Sequence, residues 1–184
     1  MKVAYAGEPG AFGEEAAHLL PDAEPLPCPS FAAVFEAVER GEAERGVVPL
    51  HNSRAGMVEE VVKLLARSHL QVSDRLALRV RQSLLALPGV RLEEIRRVAS
   101  HPQALAQCSE FLQRHGWEPV ARGTTSGAAR QLAEEGDRSC AVVARAAAAE
   151  IYGLVVLAEG IEDDPDNTTR FAVIRRSRVE RPLE

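Results

Sequence analysis

The sequence predicts an α/β fold: two small α/β lobes with a cleft between them. Three observations point to it. Short apolar runs alternate with stretches of helical periodicity, in the order βαβαβα on either side of the middle of the chain. One long β-like run, Leu70 to Leu87, joins the two halves, and a strand that leaves one sheet to enter another is a natural hinge. A last strand, ending near Arg176, returns after the second half. The chain therefore crosses twice, and two crossings make a cleft, a usual place for a small-molecule site. The expected division is 1–76 with 157–178 as the first lobe, 77–156 as the second and 179–184 as a tail.

The elements follow in order. Lys2 to Ala6 reads as a short buried strand, Gly7-Glu8-Pro9-Gly10-Ala11 as a turn, and Phe12 to Leu20 as a helix stopped by Pro21. A strand, a Gly-bearing loop and a helix start leave free N–H groups where an anion can sit, although the spacing is neither GxGxxG nor a P-loop. Ala23 to Cys28, with its prolines, suits an edge strand. Ser30 caps a helix from Phe31 to Arg40, apolar at Phe31, Val34, Phe35 and Val38. Arg45 to Leu50 is a buried strand, and His51-Asn52-Ser53-Arg54-Ala55-Gly56 separates it from a helix over Met57 to Arg67. In the central run Val72, Leu76, Leu78 and Val80 partly alternate with Arg75, Arg79 and Arg81, and Pro88-Gly89 ends it. Arg97 to Ser100 is a strand, and Pro102 suits the first turn of a helix running to about His115. Trp117 to Ala121 is a strand; Thr124-Thr125-Ser126-Gly127 caps a helix over Ala128 to Glu135. Cys140 to Ala144, an Ala-rich helix from Arg145 to Tyr152 and a strand over Leu154 to Ala158 complete the second half.

Composition narrows the function classes. The chain has 184 residues, 46% of them apolar, with a net charge of −5 and no basic cluster, which argues against a nucleic-acid partner. Arg54, Arg145 and Arg170 are the candidates for a local positive pocket. No apolar run reaches the ~18 residues of a membrane span, and the N-terminus enters a strand without a signal peptide, so a cytoplasmic setting is expected. Cys28, Cys108 and Cys140 are odd in number and widely spaced, which fits three core thiols in a reducing compartment. The five histidines lack ligand spacing, and no metal or cofactor is expected.

One polar stretch stands out. Asp166-Asn167-Thr168-Thr169-Arg170-Phe171 follows the turn-prone Glu162-Asp163-Asp164-Pro165 and opens the last strand. An amide, two hydroxyls and a guanidinium at the mouth of a strand can bind an anion and protonate a departing oxygen, but include no strong base. Polar residues also follow the strand ending at Leu50, and that edge of an α/β sheet is where ligands bind. The chain contains two asparagines, Asn52 and Asn167, one in each of these stretches. Gly10, Asn52 and Thr169 are expected to face the cleft from the first lobe, and Ser100, Gln107 and Thr125 from the second.

Five stretches, in order, resemble the prephenate dehydratase family: Tyr5-Ala6-Gly7-Glu8-Pro9-Gly10-Ala11-Phe12, Gly46-Val47-Val48-Pro49-Leu50-His51-Asn52-Ser53, Ser100-His101-Pro102-Gln103-Ala104-Leu105-Ala106-Gln107-Cys108, Thr124-Thr125-Ser126 and Asn167-Thr168-Thr169-Arg170-Phe171. The resemblance covers nearly the whole chain. It implies a fold like the type 2 periplasmic binding proteins and the conversion of prephenate to phenylpyruvate, carbon dioxide and water, a step of phenylalanine synthesis. The family threonine falls on Thr169, the expected donor to the departing ring hydroxyl. The family asparagine, serine and glutamine fall on Asn52, Ser100 and Gln107, and with His51 these make the expected catalytic set. Arg170 and the helix-start amides near Thr125 and Ser126 are assigned to carboxylate binding, with Asn167, Ser53 and Gly10 as further substrate contacts.

The chain also departs from the family pattern. His51 replaces the usual glutamate, Gly13 a small hydroxyl residue, and Gln82-Ser83-Leu84 the usual His-x-Leu; Gly123 stands where some members carry an acid. Most bacterial members continue into a phenylalanine-sensing ACT domain, and no such domain is expected before Glu184. A homodimer is implied by resemblance alone. Two other readings stay open: arogenate dehydratase, whose substrate carries an ammonium in place of the keto group, and a non-catalytic module that binds a keto acid or amino acid.

Overall fold

The computed structural model describes residues 1–177 and is α/β with two separate sheets. The expected tail, Val179 to Glu184, lies outside the described residues, as does position 178.

The first unit comprises, among the described residues, 1–6, 13–78 and 169–177. Its strands are β1 (Lys2–Ala6), β2 (Glu24–Cys28), β3 (Arg45–Asn52), β4 (Gly56–Met57), β5 (Leu70–Arg79) and β11 (Thr168–Arg176), in the sheet order β2-β1-β3-β11-β5 with β4 beside β3. β1 runs parallel to β2 and β3, and β11 antiparallel to β3. β2 takes the edge, as its two prolines require. Helices α1 (Phe12–His18), α2 (Phe31–Arg40) and α3 (Glu59–Arg67) complete the unit. The apolar stripe of α2 buries Val34, Phe35 and Val38 against Ala4, Val48, Ala172 and Ile174. Close packing there depends on Gly46: a Cβ at that position would lie 2.8 Å from Val34 Cγ1 and 3.0 Å from Ile174 Cγ1.

The second unit comprises residues 7–12 and 79–168. Its strands are β6 (Ser83–Ala86), β7 (Arg97–Ser100), β8 (Glu118–Ala121), β9 (Cys140–Ala144) and β10 (Val155–Glu159), in the order β10-β6-β9-β7-β8. β7 is parallel to β8 and β9, while β6 is antiparallel to β9 and β10. Helices α4 (Pro102–Gln107), α5 (Ser109–His115), α6 (Thr125–Glu135) and α7 (Ala147–Tyr152) belong here. The two faces of the sheet carry separate cores, read directly from the period of two. Leu84, Val98, Ala141 and Val143 pack with α4, α5 and Trp117; Leu85, Ala99, Val142 and Ala144 pack with α6 and α7.

The structure departs from the expected division at two places. Residues 157–168 belong with the second unit, because β10 pairs with β6 through Glu159 and the following loop is bound to residues 79–82. Arg79 Nε donates to Pro165 O at 2.5 Å, Val80 N to Asn167 O at 2.8 Å and Ile161 N to Gln82 O at 3.1 Å. The segment 7–12 also belongs with the second unit, Phe12 at the start of α1 included, although β1 and the rest of α1 on either side of it belong with the first.

Smaller departures have local causes. The long central run breaks at Val80 to Gln82 into β5 and β6, which lie in different sheets. The helix expected over Pro102 to His115 breaks at Cys108, where Asp163 caps a new helix: Ser109 Oγ donates to its Oδ2 at 2.9 Å and Glu110 N to its Oδ1 at 3.1 Å. Helix α6 starts at Thr125, three residues before Ala128. Helix α1 stops at His18, and Met57 is a strand residue.

Candidate functional site

In the first unit the site is built where β3 ends and β11 begins. Asn52 and Thr169 stand opposite each other in the antiparallel register. Both are buried, and Asn52 Nδ2 donates to Thr169 Oγ1 at 2.9 Å. The orientation of the amide is determined by its other end. Asn52 Oδ1 accepts from the backbone N–H groups of Arg54 and Ala55, each at 3.0 Å, in a side-chain turn that leads into β4. With the oxygen occupied, the NH₂ group must face the threonine. Thr169 Oγ1 therefore receives a hydrogen bond, and its own hydrogen is not consumed by that bond.

Strand alternation separates two residues that the sequence placed together. Thr169 is buried and Arg170 exposed, so the guanidinium projects from the other face of β11 and does not join the hydroxyl. His51 alternates with Asn52 in the same way and is the cross-strand partner of Arg170. A register shift between Arg170 and Phe171 follows, with Phe171 opposite Pro49. Ser53 is exposed in the turn after β3. Thr168 donates its hydroxyl to Asp166 O at 3.0 Å.

In the second unit the expected residues have separate environments. Ser100 ends β7 fully buried, and its hydroxyl donates to Val143 O at 2.6 Å, so its proton is already committed to the neighbouring strand. Gln107 ends α4 half-buried, its carbonyl accepting from Asp163 N at 2.7 Å. Asn167 is buried, with its carbonyl on Val80 N. Thr125 and Ser126 form the first turn of α6, capped by Thr124, whose Oγ1 accepts from Gly127 N at 2.9 Å. Ser126 is 1% exposed, and its Oγ has no hydrogen-bond partner among the described residues. A buried hydroxyl of this kind in a helix first turn suits an anion, which the helix dipole also favours.

Gly10 has a packing role. Its φ is +90°, and a Cβ would meet Ala148 Cβ at 3.0 Å, so both the turn and the close approach require glycine. Arg145, read from sequence as part of a positive pocket, holds the same loop: its Nη1 donates to Ala11 O at 2.8 Å and the guanidinium lies 5.9 Å from the Phe12 ring centroid. Asp163, Glu8 and Arg130 were not singled out by the sequence, because their partners lie 53 to 122 residues away. Among the described residues, no group of three or more His, Cys, Asp or Glu side chains could hold a metal ion. No helix among them is long and apolar enough to cross a membrane.

Comparison with known proteins bears on the chemistry of this arrangement. A family model described as prephenate dehydratase matches residues 3–179. Arogenate dehydratase 1 of Petunia hybrida is 45% identical over 192 residues, covering 100% of this chain and 45% of that protein. The chain thus spans a little under half the length of that curated relative. Two solved structures cover 100% of the chain, each with a TM-score of 0.90. One is the prephenate dehydratase of Arthrobacter aurescens in complex with L-Phe, 30% identical, with 63% of that chain covered. The other is GqqA, described as a quorum-quenching acylase, 36% identical, with 67% of that chain covered. The match over residues 3–179, with these full-chain likenesses, places the chain in the prephenate dehydratase family.

Proposed function

We propose that the chain catalyses the decarboxylating dehydration of prephenate to phenylpyruvate. The observation that carries this reading is the Asn52 to Thr169 hydrogen bond of 2.9 Å, with the amide oriented by its two backbone contacts. In the reaction the bond from the ring to its carboxylate breaks and its electron pair enters the ring. The bond to the ring hydroxyl breaks, and the oxygen leaves as water with one added proton. Aromatisation supplies the driving force, so the protein must orient the dianion and deliver that proton. The Thr169 hydroxyl, with Asn52 donating to its oxygen, is the donor in this reading, and solvent returns the proton afterwards. Positioned proton transfer contributes roughly 10²–10⁴-fold. Preorganised donors and orientation supply the remainder.

The first turn of α6, with Thr125 and Ser126, is the proposed carboxylate grip. Arg170, exposed on the other face of β11, has the weaker case. Ser100, Gln107, Asn167 and Ser53 are proposed substrate contacts, with Ser100 restricted to accepting because its proton is on Val143 O. Catalysis in a dimer and in the cytoplasm belongs to the same proposal.

Arogenate is the second reading, supported by the name of the Petunia relative. Its ring chemistry is identical, and the product would be phenylalanine directly. An acylase needs a hydroxyl or thiol activated by an adjacent base. Against that activity, Ser100 is committed to a carbonyl, and burial holds the Cys28, Cys108 and Cys140 thiols toward the protonated form.

The test is phenylpyruvate formation from prephenate, followed by ultraviolet absorbance in alkali, with a chelator present and with arogenate and an N-acyl amino acid alongside. Turnover of prephenate in chelator supports the proposal. Turnover of arogenate alone transfers the activity to the second reading. Saturable binding without turnover makes the chain a binding module.

A further inference from the structure

The loop Gly7–Phe12 leaves β1, yet it is built into the second unit. Four contacts hold it there. Tyr152 donates its hydroxyl to Pro9 O at 2.7 Å, Gly10 packs against Ala148, and Arg145 donates to Ala11 O at 2.8 Å. These three lead to α7 and the residues just before it. The fourth leads to α6. Arg130 grips the Glu8 carboxylate with two nitrogens, Nε to Oε2 at 2.7 Å and Nη2 to Oε1 at 3.2 Å. Its remaining nitrogen, Nη1, contacts both oxygens of Glu134 at 2.9 and 3.0 Å. The guanidinium is held on both sides and its plane is fixed. The carboxylate lies over the first turn of α6, since a Cβ built on Gly127 would be 3.4 Å from Glu8 Oε1.

We propose that Arg130 is a positioning residue for the substrate carboxylate: through Glu8 it ties the Gly7–Phe12 loop to α6 and holds the Thr125-Ser126 turn in its anion-receiving geometry. This rests on the reading of that turn as the carboxylate grip. The side chains of Arg130 and Glu8 are 40% and 36% exposed, so the pair adds little to global stability. Its removal leaves the fold in place and acts locally. The effect belongs on binding, because the residues assigned to proton delivery, Asn52 and Thr169, are in the other unit.

The experiment compares the whole chain with Glu8→Gln, Arg130→Met and Glu134→Gln. It reads prephenate affinity by calorimetry, steady-state kinetics, and amide hydrogen exchange of the peptides over 7–12 and 125–127. Glu8→Gln and Arg130→Met should weaken prephenate binding about three- to tenfold with kcat within about twofold. Exchange in both peptides should rise about tenfold. Glu134→Gln, which leaves the loop contact in place, should change neither. Unchanged affinity and exchange in Glu8→Gln would overturn the proposal, as would an equal loss in Glu134→Gln. If Arg130→Met does not fold, Glu8→Gln decides. Absence of turnover in the unaltered chain counts against the proposed reaction, while affinity and exchange still decide the role of Arg130.

Discussion

The Asn52 amide accepts from two backbone N–H groups through its oxygen and donates to Thr169 Oγ1 through its nitrogen, and the polarity of the last bond is what matters for Thr169. Asn52→Asp keeps the backbone contacts but replaces the donor with an oxygen that can only accept. The Thr169 hydroxyl then gives its hydrogen to Asp and withholds it from the substrate. The expected result is a loss of kcat on the order of 10²-fold, matched by Thr169→Ala and spared by Thr169→Ser, with KM changed less than about threefold. Equal kcat in Asn52→Asp and the unaltered chain would remove the amide from the mechanism. His51 is a different case, because strand alternation puts it across from Arg170 and away from Thr169. His51→Glu sets a carboxylate opposite a guanidinium, an exchange that stabilises by about 0.2–1 kcal/mol. Turnover should stay within about twofold, and a thermal melt checks the sign of the stability change. Asn52 and Thr169 were legible in the sequence because asparagine is so scarce and both sit at strand mouths. The separation of Arg170 from Thr169 was not, because the bounds of β11 decide which neighbours share a face.

At the scale of elements, the contact of α2 with its sheet depends on one missing side chain. A Cβ on Gly46 would lie 2.8 Å from Val34 Cγ1, 3.0 Å from Ile174 Cγ1 and 3.1 Å from Val38 Cγ2, all of them buried β-branched residues with little freedom to shift. Gly46→Ala should cost about 1–3 kcal/mol of stability, read as a lower urea midpoint with unchanged slope. The cap on α5 makes a comparable case. Asp163→Ala removes acceptors from Ser109 Oγ and Glu110 N and should cost about 0.5–2 kcal/mol. Element type was readable in the middle of the second sheet, since β6, β7 and β9 each carry apolar residues on both faces. The break at Cys108 was not readable, because a residue 54 positions away caps the new helix. The true length of β3, through Asn52, was hidden by the polar character of His51 and Asn52. The approach of Gly10 to Ala148 was not readable, because a positive φ looks the same in sequence whether it admits a ligand or a neighbouring helix.

At the scale of the molecule, the two sheets were foreseeable from the order of elements, while the allocation of the segments between them was not. Residues 7–12 and 157–168 follow long-range contacts with the second unit, which local pattern cannot show. The cores of both units share one chemical feature: each contains a buried thiol, Cys28 in the first and Cys108 and Cys140 in the second. Burial raises all three thiol pKa values, Cys108 the most, and nearby carboxylates, Glu42 for Cys28 and Asp163 for Cys108, push in the same direction. The native state therefore keeps its thiol protons at a pH where the unfolded chain, with thiols near 8.5, loses them. Above that pH the unfolded state binds fewer protons than the native one, so stability declines as pH rises. The contribution is fully present below about pH 8.5 and is lost progressively on the alkaline side. Urea midpoints measured at intervals from neutral to strongly alkaline pH should fall across this range, and Cys108→Ala should flatten the fall even if it lowers stability at neutral pH. A thiol reagent should react slowly with the native chain and rapidly with three groups per chain after unfolding. A midpoint independent of alkaline pH, with rapid native labelling, would mean that the thiols are not held protonated in the cores.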